Sequence, residues 1–247
     1  VGANSDLAAV LESLHPAAGD TSLIGADPRL CAQALRVDGI AVSVTTDSGL
    51  GELLWSTEGT STRLEDLQYE LGQGPGHETA LYCAPVLVPD LARVPTGRWP
   101  ALLPEAAALG VGAVFCFPLS VGSACLGTLT LQQTAPGPLP DATVTDAWLL
   151  ANALAALIVE GSPQQSAFAV ATEGSDFYRA AVHQASGMIS VQADISLAQA
   201  LLRLRTHAFR HGRSLTEVAQ DVVSRRLSFR DDEKGPDIPA GEGTEGP

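Results

Sequence analysis

The chain has 247 residues, a formal net charge of −14, four cysteines and a hydrophobic content of 45%, enough apolar material for a core in one large or two small domains. Four cysteines scattered from Cys31 to Cys125 make neither a disulfide framework nor a zinc-ligand spacing. No apolar run nears the roughly 18–20 residues of a membrane span, and no basic-then-apolar leader opens the chain, so a reducing cytoplasm with no membrane partner is the expected setting.

Residues 6–14 and 28–35 read as short helices, the second with Pro28 at a tolerated early position. Residues 39–45 and 52–56 read as strands across a polar turn at 46–49. Residues 60–69 read as a helix that runs into Gly72, Gly74, Pro75 and Gly76, where it cannot continue. A short extended run at 84–88 ends at Pro89, and an alanine-rich helix at 100–109 stops at Gly110. Two strong strands, 113–117 and 125–131, are joined through a turn at 121–123 and form a hairpin.

Registering that hairpin on Gly122 and Ser123 puts Cys125 opposite Ser120 and Cys116 opposite Leu129. A disulfide between the two thiols would then exceed the roughly 7 Å Cα limit. Cys83 follows Tyr82 in an apolar setting with no nearby base. After a Pro/Gly loop at 136–140, residues 144–160 read as one apolar helix with no charge between Asp146 and Glu160. Such a helix is buried on most of its circumference, in its own domain or against a second copy. The fold class expected for 1–160 is α+β, a sheet flanked by helices.

Residues 161–175 read as a linker, and 176–230 as a bundle of three helices. Ser196 with Gln199 and Ser214 with Glu217 are capping boxes that open the second and third of these, and Gly212 ends the second. At 100° per residue, Leu197, Leu201, Leu204 and Ala208 share one arc of the middle helix, with Gln199, Arg203, Thr206, His207 and Arg210 opposite. Leu215, Val218, Ala219, Val222 and Val223 form the stripe of the last helix. The first helix has two apolar stripes, one through Tyr178, Val182, Ala185 and Ile189 and one through Phe177, Ala181 and Met188. Its polar face carries Arg179, His183, Ser186 and Ser190. Arg205 falls inside the middle helix's apolar arc and needs a carboxylate, with Glu217 or Asp221 the candidates.

Charge sets this bundle apart. Residues 1–175 hold 5 Arg and 18 acids (net −13), 176–230 hold 8 Arg and 4 acids (net +4), and 231–247 hold one Lys and 6 acids (net −5). A basic island in an acidic chain points to an anionic partner for the island alone, although the same arginines would also serve to solvate a bundle. His183, His207 and His211 lack metal-ligand spacing with a carboxylate, so no metal site is expected. The Gly-, Pro- and acid-rich 231–247 segment reads as a disordered tail.

The run His183-Gln-Ala-Ser-Gly-Met-Ile-Ser-Val-Gln192, the Ala200…Leu204-Arg205 pair and the Leu215-x-x-Val218-Ala219 ending together resemble an ANTAR domain. Ser190 and Gln192 stand where many relatives carry a Met and a basic residue. The resemblance implies a three-helix RNA-binding transcription antiterminator module that binds paired stem-loops of leader RNA as a homodimer, with no duplex DNA partner. Candidate RNA contacts are Arg179, His183, Gly187, Arg203, His207, Arg210 and Arg213.

Residues 20–160 are similar to a GAF domain through Gly72-Gln-Gly-Pro75, Arg98-Trp-Pro100 and the Pro118-Leu…Leu126-Gly127 hairpin. That likeness implies an antiparallel sheet and a sensing pocket for an unknown small molecule near Trp55, Tyr69, Tyr82, Trp99 and Phe115, with no cofactor expected. Some GAF domains are methionine-sulfoxide reductases, so a thiol enzyme is one alternative, and a dimerising protein–protein scaffold is another. No Ser-His-Asp set, H-E-x-x-H, P-loop or paired-carboxylate pattern appears in the sequence.

Overall fold

The computed structural model describes residues 5–15, 24–45, 51–160 and 176–229, with side chains throughout except at Ser5 and 176–179. The expected 46–49 turn, 161–175 linker and 231–247 tail lie outside the described residues. The chain divides into two compact units, Val1–Glu173 and Gly174–Pro247.

The first unit is built on a five-stranded antiparallel sheet in the order β2-β1-β5-β4-β3. Its strands are β1 (Gly39–Thr45), β2 (Gly51–Ser56), β3 (Val86–Val88), β4 (Ala113–Val121) and β5 (Ala124–Gln133). Because side chains alternate along a strand, β1, β4 and β5 feed two separate cores. Ile40, Val42, Phe115, Phe117, Leu119, Leu129 and Leu131 face α1 (Ser5–Ser13), α2 (Pro28–Ala34) and α6 (Asp141–Glu160). On the other side Val114, Cys116 and Val88 pack with Leu64, Leu67, Trp99, Leu102 and Ala106. These come from α3 (Thr60–Leu71), α5 (Leu102–Ala108) and the segment before α5.

The structure adds one helix and changes two expectations. The helix before the Gly/Pro cluster ends there as expected, and a further helix begins within the cluster. Gly72 ends α3 in the left-handed region (φ 62°), and Pro75 then occupies the first turn of α4 (Pro75–Tyr82), where its fixed φ suits a helix start. The close approach of Gln68 to Gly74 leaves no room for a Cβ there. A β-bulge between Leu119 and Ser120 shifts the hairpin, so Cys116 stands opposite Thr130 rather than Leu129, while Cys125 is opposite Ser120 as expected. Finally, α6 runs for 20 residues and is long and apolar enough to cross a membrane by length and composition. Its Ala147, Leu150, Ala151, Leu154, Ala155 and Leu157 are buried in the first core, as in the core helix of a sheet-and-helix domain.

The second unit is a bundle of α7 (Asp176–Ala193), α8 (Leu197–Arg210) and α9 (Leu215–Val223), each packed on the other two. Both capping boxes form, with Ser196 Oγ accepting from Gln199 N and Ser214 Oγ from Glu217 N, each at 3.2 Å. Gly212 follows α8 with φ 60°. The core holds Val182, Ala185, Ile189, Ala200, Leu201, Leu204, Ala208, Leu215, Val218, Ala219 and Val222. Leu197 is largely exposed instead of joining its stripe. Ser186 is buried rather than on a polar face, beside Val182 and Ala185 on the side by which α7 packs against the other two helices.

Candidate functional site

One face of α8 carries Arg203, His207 and Arg210, spaced three and four apart, with His211 following at the C-cap. Arg203 and Arg210 are exposed and make no ion pair among the described residues. The ring of His207 lies 4.3 Å from that of His211, tilted by 41°, and 5.4 Å edge-on from Phe229. Phe229 is itself buried, and its amide donates to Gln192 Oε1 at 3.1 Å, so the Gln192 side chain holds the end of the bundle in place. The result is two exposed guanidiniums, without an ion pair among the described residues, beside a packed imidazole pair on one helix. Cations of that kind contact phosphates, and flat rings stack on unpaired bases.

The other predicted contacts are placed differently. Arg213 is engaged, its Nη2 lying 2.7 Å from Asp221 Oδ2, while Asp221 Oδ1 lies 2.7 Å from Arg226 Nη2. The Arg213 hydrogen bond, with that of Arg226, holds the Asp221 carboxyl below the usual carboxylate range. Arg205 is half-buried in the arc where its helical angle puts it. His183 is half-buried on α7, and the Arg179 side chain lies outside the described residues. Gly187 lines a groove of about 690 Å³ with Met188, Val191, Gln192, Arg225 and Leu227, and a Cβ at Gly187 would meet nothing within 4 Å. Sequence reasoning did not mark Arg225, which is exposed at the groove rim without an ion pair among the described residues. Its positive φ of 60° belongs to the turn after α9, which side-chain periodicity does not reveal.

In the first unit the five aromatic candidates do not converge. Trp55 and Phe115 belong to the first core, and Trp55 Nε1 donates to Ala26 O at 2.8 Å. Tyr69 and Trp99 are buried on the other side of the unit, among α3 and the segment leading to α5. Tyr82 is 70% exposed. Trp99 Nε1 donates to Glu78 Oε1 at 2.8 Å, the Arg98 guanidinium lies 4.4 Å over its ring, and Arg98 Nη2 reaches Glu78 Oε2 at 2.6 Å. That contact latches α4 to the loop before α5.

What lies between the sheet and α3 and α4 is a buried polar layer that sequence reasoning missed. Ser43 Oγ donates to Glu65 Oε2 at 2.8 Å, Gln68 Nε2 donates to Glu65 Oε1 at 2.9 Å, and Gly76 N donates to Gln68 Oε1 at 2.8 Å. Thr79, Thr128, Thr130 and Gln132 are buried beside it, and Thr79 Oγ1 and Gln132 Oε1 have no hydrogen-bond partner among the described residues. Orphaned buried oxygens of this kind suit a polar ligand or ordered water. The alternation of Thr128, Thr130 and Gln132 along β5 was the available signal.

Known proteins place both units. A GAF domain matches residues 29–158, more than half of the chain, and an ANTAR domain matches residues 178–223. No curated protein matches the chain. Among solved structures, the chain is similar to the GAF domain of a phosphoenolpyruvate-protein phosphotransferase from Coxiella burnetii, at 20% identity and a TM-score of 0.50 over 63% of this chain and 94% of that one. It is similar at the same TM-score to the corresponding GAF domain from Acinetobacter, at 14% identity over 63% of this chain and 92% of that one. Both show the fold of the first unit. The chain belongs to the GAF-domain family and carries an ANTAR domain behind the sensor, the architecture of an RNA-binding antitermination regulator.

Proposed function

We propose that the chain is a cytoplasmic, signal-responsive antiterminator whose α8 face binds paired stem-loops of leader RNA as a homodimer, without a role for duplex DNA. The observation that carries this is the contrast among the arginines. Asp221 occupies Arg213 and Arg226, while Arg203 and Arg210 stay exposed beside the His207–His211 rings. Exposed cations at fixed spacing next to a stacking surface match folded RNA, whose loops offer phosphates and unstacked bases together.

The reading also takes two protomers, one per RNA loop. Thr145, Leu149, Asn152, Ala156 and Val159 are exposed along α6 at alternating spacings of four and three. That is the spacing of a helix–helix seam. A ligand in the polar layer around Glu65 would act by changing how the two protomers present their α8 faces.

Electrophoretic mobility shifts with a two-hairpin RNA and a matched DNA duplex, run across a salt series, test the reading. Arg203→Ala and Arg210→Ala are each expected to weaken hairpin binding and to lower the salt slope by roughly 0.7–0.9 per lost phosphate contact. Equal binding of duplex DNA, or unchanged RNA affinity in the double variant, would refute it and leave the scaffold alternative.

A further inference from the structure

Helix α8 carries Arg203, Arg205 and Arg210 and no acid. Elsewhere in the bundle the acids with described side chains are Asp194, Glu217 and Asp221. Asp221 takes Arg213 and Arg226, and Glu217 accepts from the Ser214 amide at the start of α9. Asp194 lies in the turn before α8, at the end away from Arg210. Arg203 and Arg210 are exposed and make no ion pair among the described residues.

The chain itself brings acid to this face. Phe229 is buried, its ring 5.4 Å edge-on from His207. Its amide and the Ser228 hydroxyl both donate to Gln192 Oε1, at 3.1 and 3.4 Å. His207 stands four residues after Arg203 and three before Arg210, so the three share one side of α8, with neighbours roughly 5–6 Å apart between Cβ atoms. The chain therefore leaves Phe229 beside the two cations. Asp231, Asp232 and Glu233 follow at once, and two to four residues of extended chain span up to roughly 7–14 Å. The first acids thus reach Arg203 and Arg210 while Phe229 stays seated.

We propose that the segment 231–247 docks back on the α8 face as an anionic cover that RNA must displace. The charges are complementary: the segment holds six acids and one Lys, and the face holds Arg203 and Arg210 beside His207 and His211. Single ion pairs at a protein surface are weak, but a tether keeps the acids at millimolar effective concentration. A segment that binds at about 0.1 mM when detached, held at about 1 mM by its tether, lowers RNA affinity about tenfold. Docking rests on the charges of α8 alone, and its effect on affinity rests on the proposed RNA-binding function.

The test compares the full chain, a chain ending at Arg230 and a full-length Asp231→Asn/Asp232→Asn/Glu233→Gln variant. A fluorescein-labelled peptide of residues 231–247 is titrated with the first two at low salt and followed by anisotropy. The chain ending at Arg230 is expected to bind it, and the full chain to bind it about tenfold more weakly, because its own segment competes. Arg203→Ala with Arg210→Ala in the shortened chain is expected to abolish peptide binding. Two-hairpin RNA is expected to bind the shortened chain about tenfold more tightly than the full chain at low salt, with the neutralised variant shifted in the same direction. The difference closes at high salt as the ion pairs are screened. A peptide that ignores the shortened chain, or whose binding survives the loss of Arg203 and Arg210 and falls with Arg225→Ala instead, would overturn the cover. So would equal RNA affinity of the full, shortened and neutralised chains. A peptide that docks as expected on a chain that binds no RNA would uphold the cover and refute the RNA-binding function.

Discussion

Asp221 takes the Arg213 guanidinium on one carboxylate oxygen at 2.7 Å and leaves its other oxygen to Arg226 at 2.7 Å. One acid on α9 therefore engages two of the bundle's cations. The arrangement ranks the arginines by availability, which a count of charges cannot do. Asp221→Asn is expected to release both guanidiniums, raise the affinity for hairpin RNA and steepen its salt dependence. Arg213→Ala is expected to weaken binding less than Arg203→Ala. Binding isotherms at several salt concentrations measure both, and equal losses for Arg203→Ala and Arg213→Ala would remove the distinction.

The Glu78 latch gives the sensor unit an acid-sensitive contact. Hydrogen bonding from Arg98, against some opposing burial and with help from Trp99, holds the Glu78 carboxyl below the usual glutamate range. A depressed folded-state pKa means that its stabilisation is complete above the unfolded value of about 4.3 and disappears as pH falls through the lower, folded value. Glu78→Gln is expected to destabilise the unit by about 1 kcal/mol at neutral pH and to flatten its stability profile below about pH 4. Urea melts at a series of pH values measure the effect. A variant that loses as much stability between pH 5 and 3 as the parent would show that other carboxylates dominate there.

Beneath α3, the Ser43 hydroxyl supports the buried Glu65 carboxylate at 2.8 Å. Ser43→Ala removes that donor without opening a large void. A carboxylate that loses a hydrogen bond out of reach of bulk water typically costs about 1–3 kcal/mol. The unit is expected to unfold at lower urea by that amount with an unchanged slope. A neutral result would mean that water replaces the hydroxyl.

The bundle was readable in the sequence because its signals are local. The Ser196 and Ser214 boxes and Gly212 fix helix ends by contacts within three or four residues, and all three stand where their spacing put them. The sensor sheet was harder, since its meaning depends on which face each side chain takes. A single bulge at Leu119/Ser120 moved Cys116 from Leu129 to Thr130, and a one-residue shift exchanges faces. The α4 helix was hidden because Pro75 and Gly76 break a helix that precedes them but tolerate one that starts with them. Trp55, Tyr69, Tyr82, Trp99 and Phe115 could be recognised as large aromatics, but their division between two cores and the surface is set by tertiary pairing.

On α6, Leu149 is 43% and Val159 is 49% exposed, although Leu150, Leu154 and Leu157 beside them are buried. If this stripe is the seam between two protomers, Leu149→Lys puts a charge into it without touching the first core. The variant is expected to keep its unfolding midpoint while its mass by light scattering falls to that of a monomer. A parent chain that is monomeric at tens of micromolar would sink the seam.

Gly187 sits within α7, where a glycine weakens a helix by about 1 kcal/mol relative to alanine. Nothing within 4 Å would obstruct a methyl group, so packing inside the chain does not explain it. On the proposed reading, the open groove beside it, with Arg225 at its rim, admits a close approach by the RNA. Gly187→Ala is therefore expected to raise the thermal midpoint of the bundle while lowering its affinity for hairpin RNA. Stability and binding would then move in opposite directions, which a purely structural role for the position does not produce. A more stable variant that binds RNA as tightly as the parent would remove Gly187 from the interface and confine the contacts to α8.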